Sequence, residues 1–167
     1  GELYDKFLYR KVLDTNNTQP IKMKDLIIKP CCESNSFHPL KDNENRIAKV
    51  PILLINATIL NNGHNWCFSA SDMGETQIDQ FSEKFDKNFR FKKITSYEDI
   101  YKHKDFELGL AVAASACVPG IFAPLAISDL YDEKVRLQLV DGGVHDNQGI
   151  RGLLDKRLNC THFILSD

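Results

Sequence analysis

A continuous apolar run constrains the fold of this chain more than any other feature of its sequence. Residues Val50 to Thr58 read VPILLINAT, a segment of strand length without a charged side chain. A strand with one face in water alternates apolar and polar residues, whereas an unbroken run is typical of a strand covered on both faces, as in parallel sheets. The run therefore predicts an inner strand of a mainly parallel sheet.

Segments with helical and strand patterns alternate on either side of this run. Apolar residues at three-to-four spacing predict an opening helix from Leu3 to Val12, and small residues predict a helix from Glu107 to Cys117. Further strands are expected at residues 66–68, 136–140 and 161–165, and a further helix at residues 149–158. This alternation predicts the α/β class, with a mainly parallel sheet flanked by helices.

Composition and charge limit the classes of function. The chain has 21 Lys and Arg against 23 Asp and Glu, which gives a net charge of −2. Binding to nucleic acid needs a basic excess or a basic stripe, so nucleic acid is excluded as the expected partner. With 43% hydrophobic and 26% charged residues, the 167 residues have the composition of one globular domain.

The cysteines predict reduced thiols and no metal site. There are five, an odd number, and two of them lie inside apolar runs, so mostly buried, unpaired side chains are expected. Cys31 and Cys32 lie near His38, but adjacent cysteines cannot easily ligate one tetrahedral ion. We interpret residues 29–45 as a long polar loop and expect neither a metal nor a cofactor.

The stretch from Leu108 to Ser128 carries no charge and is long enough to cross a bilayer. It contains Pro119, Gly120 and Pro124, however, and its first half consists of small residues. A buried helix followed by a proline-defined loop explains the stretch better than a membrane span. The chain is therefore expected to be cytoplasmic or peripherally attached to a membrane.

The N-x-[ST] matches at Asn16, Asn56 and Asn159 do not indicate secretion, because Asn56 lies inside the apolar run.

Asp141 is the first candidate for chemistry. It ends the apolar strand pattern LQLV and is followed by Gly142 and Gly143. Functional groups collect beyond strand ends in α/β sheets, and adjacent glycines allow close approach of the backbone, so Asp141 could act as a base or an ion partner. The alternative is that Asp-Gly merely forms a turn.

Ser115 and His145 are weaker candidates. Ser115 lies on a helix of small residues, and no G-x-S-x-G elbow occurs in the chain, so a hydrogen bond within the helix or to a neighbour is favoured over a nucleophilic role. His145 could complete a set with Ser115 and Asp146, but neighbours on one loop rarely converge on one nucleophile. A surface position is favoured for His145.

Three segments, taken in order, resemble the patatin-like phospholipase family. They are PILLINAT at residues 51–58 with the following NG and WCFS, AASACVP at residues 113–119 with Phe122 and Pro124, and LVDGGV at residues 139–144 with Asp146, Asn147 and Gly149. The resemblance runs from about residue 50 to the end. It implies a lipid acyl hydrolase with a Ser/Asp dyad, in which Asp141 is the dyad aspartate and Gly142 and Gly143 complete its motif.

The same resemblance implies that parts of the family's site lie elsewhere. Its glycine-rich oxyanion loop and its G-x-S-x-G serine precede the matched segments and are not found in these residues. The chain is therefore expected to be the C-terminal part, residues 1–167, of a single patatin-like domain that is inactive on its own. Its expected partner is a lipid acyl ester.

A catalytically inactive patatin-like module that binds lipid or a protein is the alternative function. A strand-end aspartate favours the enzyme, because a binding module does not need it. Contact with a membrane surface is a further hypothesis, which rests on four phenylalanines in a charged segment. They are Phe81, Phe85, Phe89 and Phe91.

Overall fold

The computed structural model of the chain describes residues 1–13, 19–31, 33, 36–77, 86–91, 93–130 and 135–166. The strands in these residues are β1 (Leu54–Ile59), β2 (Asn65–Ser69), β3 (Asp72–Glu75), β4 (Thr95–Ser96), β5 (Leu125–Ile127) and β6 (Leu137–Asp141). Residues 2–13, here α1, comprise a π-helix (Asp5–Tyr9) between two α-helical turns (Glu2–Tyr4 and Arg10–Leu13). The other α-helices are α2 (Pro39–Asp42), α3 (Leu108–Ser115), α4 (Gly143–Asp146) and α5 (Ile150–Leu153), and short 3-10 helices occur at Met23–Leu26, Tyr97–Asp99 and Tyr101–His103.

The six strands form one sheet in the order β4-β3-β2-β1-β6-β5, and every neighbouring pair is antiparallel. The prediction of a mainly parallel sheet flanked by helices is therefore wrong. The reason lies in the short connections. Residues 60–64, with Gly63 at φ +78°, join β1 directly to β2. So short a link can join only antiparallel strands, since parallel neighbours need a crossover of about a dozen residues or more.

β1 is an inner strand, as the apolar run predicts. It pairs with β2 on one side and with β6 on the other, where Ala57 lies opposite Asp141 and Ile59 opposite Leu139. Ala57 and Ile59 are fully buried. The strand begins at Leu54, so the first four residues of the run precede it.

The core lies between the sheet and α3, which contacts β1 and β6. Ala111 and Ala114 are fully buried on this helix, and their small side chains allow it to lie close to the strands. The ring of Phe68 on β2 stacks on that of Phe106 with centroids 5.2 Å apart. The helix expected from Glu107 to Cys117 is thus confirmed, with bounds Leu108–Ser115.

The C-terminal residues depart from the expectations. The helix expected at residues 149–158 is a single turn, Ile150–Leu153, and residues 161–166 form no strand. Ile164 is 99% exposed. The two edges of the sheet are β4 and β5, and residues 161–166 pair with neither, so their apolar pattern does not produce a strand.

A buried carboxylate holds residues 86–91 against the sheet. Glu75, at the end of β3, is 3% exposed and accepts hydrogen bonds from the Phe91 N–H at 2.6 Å and from Arg90 at 2.6 Å. His64 Nδ1 also lies 2.6 Å from Glu75 Oε1. Asp86 is the last member of the cluster. The pKa of its carboxyl is lowered, mainly by the hydrogen bond from the Asn88 backbone N–H and to a smaller extent by His64 and Arg90. This polar cluster joins residues 86–91 to the end of β3.

The uncharged stretch from Leu108 to Ser128 contains one helix, α3, which ends at Ser115 and is followed by a loop and β5. In the described residues, no helix combines the length and the apolar character that crossing a bilayer requires. The interpretation of the stretch as a buried helix and a proline-containing loop is confirmed.

Candidate functional site

Asp141 is the last residue of β6, and the neighbouring elements hold its backbone in place. Its N–H donates to the Cys117 carbonyl at 2.9 Å, and its own carbonyl accepts from Thr58 Oγ1 at 2.8 Å. The side chain is half-buried, and one carboxylate oxygen, Oδ1, accepts from the Gly143 N–H at 2.7 Å. The backbone thus fixes the carboxylate, and its second oxygen has no hydrogen-bond partner among the residues that the structure describes.

Gly142 and Gly143 face different neighbours. A Cβ at Gly142 would lie 2.5 Å from the backbone oxygen of Asn56, and a Cβ at Gly143 would lie 2.9 Å from the side-chain oxygen of Asn147. No real Cβ tolerates the first contact. Gly142 therefore brings the chain after Asp141 directly against β1, whereas Gly143 faces a side chain that can move.

An open cleft of about 530 Å³ lies in front of Asp141. Its walls come from β1, from the end of α3 and from the loop after α4, and they include Asn56, Ser115, Ala116 and Gly149. The volume is in the range of small-molecule sites. The carboxylate of Asp141 therefore lines a cleft, which the alternative of a simple Asp-Gly turn would not require.

The structure separates the other two candidates from each other. The Ser115 carbonyl accepts from the Gly142 N–H at 3.3 Å, and the residue lines the cleft. In the described residues, no hydrogen bond joins its hydroxyl to Asp141. His145 is exposed, and its Nδ1 lies 2.8 Å from the Gly63 carbonyl, at the β1–β2 turn. Asp146 accepts from the Arg151 N–H. No Ser115/His145/Asp146 set forms.

Asn56 is the cleft residue that the sequence analysis missed. In the sequence it belongs to the apolar run, to an N-x-[ST] match and to the PILLINAT segment, none of which assigns it a role in the cleft. It lies on β1 beside the chain after Asp141, and its Oδ1 accepts from Asn65 Nδ2 at 3.3 Å. A polar side chain within an otherwise apolar inner strand is the signal that could have identified it, because such a group needs a partner.

The cysteines agree only in part with the prediction of burial. Cys67 and Cys117 are buried, whereas Cys31 and Cys160 are exposed, and Cys32 lies outside the described residues. Burial raises the pKa of the Cys67 thiol to about 12. Across the described part of the chain, no three His, Cys, Asp or Glu side chains come together as metal ligands would.

The phenylalanine cluster is divided. Phe89 is 68% exposed, whereas Phe91 is buried, and their rings meet edge to face with centroids 5.3 Å apart. Phe81 and Phe85 lie outside the described residues. Phe91 belongs to the core, so at most part of the cluster is a surface patch.

A second cavity, of about 860 Å³, lies between α1 and residues 122–126. We name it the apolar groove. Its lining includes Leu3, Phe7, Phe122 and Pro124 and contains no charged residue, and it shares Ala116 with the Asp141 cleft. Phe7 is 57% and Phe122 58% exposed. Exposed apolar surface of this kind is typical of binding sites.

The chain was compared with protein-family models, with curated proteins and with solved structures, and none of the three comparisons gave a match.

Proposed function

We propose that this chain supplies the general base of a serine hydrolase that acts on lipid acyl esters, with Asp141 as the base. The observation that carries the proposal is the position of Asp141. Its carboxylate is anchored through one oxygen, and it faces an open cleft beside two glycines that admit close approach. The patatin-like pattern of its sequence motif supports the same role.

In the proposed reaction, Asp141 accepts the proton of a serine hydroxyl while the serine oxygen attacks the carbonyl carbon of the ester. The tetrahedral intermediate collapses, the alcohol leaves with that proton, and an acyl-enzyme remains. Asp141 then accepts a proton from water, which attacks the acyl group. The fatty acid is released, and the proton returns to the serine oxygen.

In this proposal the nucleophile and the oxyanion donors lie outside these 167 residues. The chain contains no G-x-S-x-G segment. The backbone N–H groups beside Asp141 are already used, since Gly142 donates to Ser115 and Gly143 donates to Asp141 itself. An oxyanion hole needs donors that are aimed at the substrate oxygen, and losing one such donor costs roughly 10²- to 10³-fold in rate. We therefore expect no significant ester hydrolysis by the 167-residue chain alone.

The first test is labelling of the natural, full-length protein with a fluorophosphonate probe, which modifies activated serines. Wild type, Asp141→Asn and Asp99→Asn are compared, and the modified peptide is mapped by mass spectrometry. Asp99 is exposed, so this matched substitution controls for the loss of one carboxylate. We expect label on a serine that precedes Gly1, with at least a 100-fold slower reaction in Asp141→Asn and an unchanged one in Asp99→Asn.

Two other outcomes would change the proposal. Label on Ser115 would move the nucleophile into the cleft described here. Equal labelling of wild type and Asp141→Asn would remove Asp141 from the role of base.

The apolar groove favours a second candidate function, an inactive module that binds lipid or a protein. Its uncharged lining and exposed aromatic rings would suit an apolar ligand without any catalytic group. A complete absence of serine label in the folded full-length protein would favour this function over the hydrolase.

A further inference from the structure

Asn56 presents a polar side chain from the inner strand of the sheet to the Asp141 cleft. It is half-buried, it lines the cleft, and the next residue, Ala57, lies opposite Asp141 in the β1–β6 pair. On the same strand, Ala57 and Ile59 pack in the hydrophobic core. The amide of Asn56 therefore needs a separate explanation.

Three glycines lie against Asn56. A Cβ at Gly142 would lie 2.5 Å from its backbone oxygen, and a Cβ at Gly152 would lie 2.7 Å from its Oδ1. At Gly149, in the cleft wall, the nearest atom to a Cβ would be Asn56 Nδ2, at 3.6 Å. Gly142 therefore lies against the backbone of Asn56, whereas Gly152 lies tightly against its side chain and Gly149 makes an ordinary contact with its Nδ2.

In this structure the amide of Asn65 contacts the oxygen end of the Asn56 amide. Its side chain is buried, with 1% exposure, and its Nδ2 donates to Asn56 Oδ1 at 3.3 Å. The oxygen of Asn56 is therefore engaged. Its Nδ2 donates to no acceptor among the described residues, so a bound ligand without an acceptor at this point would leave the donor without a partner.

We propose that Asn56 contacts the substrate, and that its Nδ2 donates a hydrogen bond to an oxygen of the ester bound in the Asp141 cleft. The inference rests on the proposed function, which places an ester there. An ester offers two acceptor oxygens and no donor, so it complements an amide whose own acceptor is already engaged. Asn56 then orients the ester, while Asp141 accepts the proton of the serine hydroxyl.

The test observes the amide directly, by nuclear magnetic resonance of the ¹⁵N-labelled natural, full-length protein during titration with methyl butyrate, with Asp141→Asn present throughout to suppress turnover of the ester. The side-chain NH₂ signals of Asn56 are identified by their loss in Asn56→Asp. We expect them to shift saturably, together with the backbone amides of Gly142 and Gly143. In Asn56→Ala, we expect the affinity measured at the glycine amides to fall at least fivefold, as the loss of one hydrogen bond implies.

Two variants separate binding from folding. Asn56→Asp keeps the shape and the oxygen that faces Asn65 but lacks the donor, so it also binds at least fivefold more weakly. Asn159→Ala, at an exposed position, binds as wild type. The remaining signals of each spectrum report whether the variant is folded.

The opposing outcomes are distinct. If the glycine amides shift and those of Asn56 do not, the ester occupies the cleft without this hydrogen bond, which overturns the inference and leaves the proposed function standing. If no cleft signal shifts up to the solubility limit of methyl butyrate, the inference is also overturned. Failure of the proposed function itself is read separately, from the serine labelling, which does not depend on Asn56.

Discussion

At Gly142, the space that a side chain would need is occupied by the backbone of β1. A methyl group there would lie 2.5 Å from the Asn56 oxygen and 3.0 Å from its carbonyl carbon. At Gly143, the close atoms belong to the ends of the Asn147 and Asp141 side chains, which can move. These adjacent glycines therefore differ in how rigid their surroundings are.

We expect Gly142→Ala to lower the free energy of unfolding by about 3 kcal/mol, because the strand must shift to relieve the contact. Gly143→Ala is the matched control, for which we expect a loss of less than about 1 kcal/mol. Urea unfolding followed by circular dichroism measures both. Equal losses in the two variants would show that the backbone of β1 yields as easily as a side chain.

The residues of the site differ in how far sequence could predict them. The position of Asp141 at a strand end could be predicted, because the apolar pattern and the two glycines are local signals. Asn56 could not, because its role depends on Gly142, Gly149 and Gly152, which are distant in sequence and approach it only in the folded chain.

At the scale of the elements, one buried carboxylate, Glu75, joins residues 86–91 to β3. Glu75 receives the Phe91 N–H and Arg90, and His64 Nδ1 lies beside it. Removing a buried acceptor leaves its donors without a partner, which costs more than the net value of the hydrogen bonds.

We expect Glu75→Ala to lower the free energy of unfolding by about 2–3 kcal/mol, a figure moderated by the partial exposure of Arg90. Hydrogen exchange should increase most at residues 86–91. Glu98→Ala, at an exposed glutamate, should change neither quantity. Unchanged exchange at residues 86–91 in Glu75→Ala would mean that apolar packing holds this segment.

The existence of the main elements could be predicted from sequence, but their arrangement could not. Local patterns in the sequence identified α1, α3, β1 and β6, since spacing, small residues and apolar runs involve only neighbouring residues. The direction of the strands depends on which of them pair. The turn at Asn61-Asn62-Gly63 makes β1 and β2 an antiparallel pair at the centre of the sheet, which the apolar run by itself does not indicate.

At the scale of the whole molecule, buried groups with a raised pKa make the free energy of unfolding depend on pH in the alkaline range. Burial raises the pKa of Cys67 to about 12 from an ordinary value of 9.0, and burial also raises the pKa of Tyr97. Between these two values for Cys67, the unfolded chain loses the thiol proton and the folded chain keeps it. Unfolding therefore releases a proton, and stability falls as pH rises.

We expect the free energy of unfolding to decline between pH 9 and pH 12, with Cys67 contributing about 1.4 kcal/mol per pH unit. Urea unfolding at pH 8, 9, 10 and 11 measures the slope. Cys67→Ala should give a shallower slope than wild type, whereas Cys160→Ala, which removes an exposed thiol, should run parallel to wild type. If the free energy of unfolding of Cys67→Ala falls with pH as steeply as that of wild type, this thiol ionises equally in the folded and the unfolded chain.

The pairing of β1 with β6 also has a kinetic consequence. The hydrogen bond from Thr58 to the Asp141 carbonyl spans 83 positions, whereas β1, β2 and β3 follow one another through short turns. Contacts between distant residues require closure of a long loop and slow folding, whereas local hairpins form early. We therefore expect the β1–β2–β3 meander to form first and β6 to dock onto it later. The cleft would then be completed at a late step of folding, since Asn56 belongs to the early meander and Asp141 to the late strand.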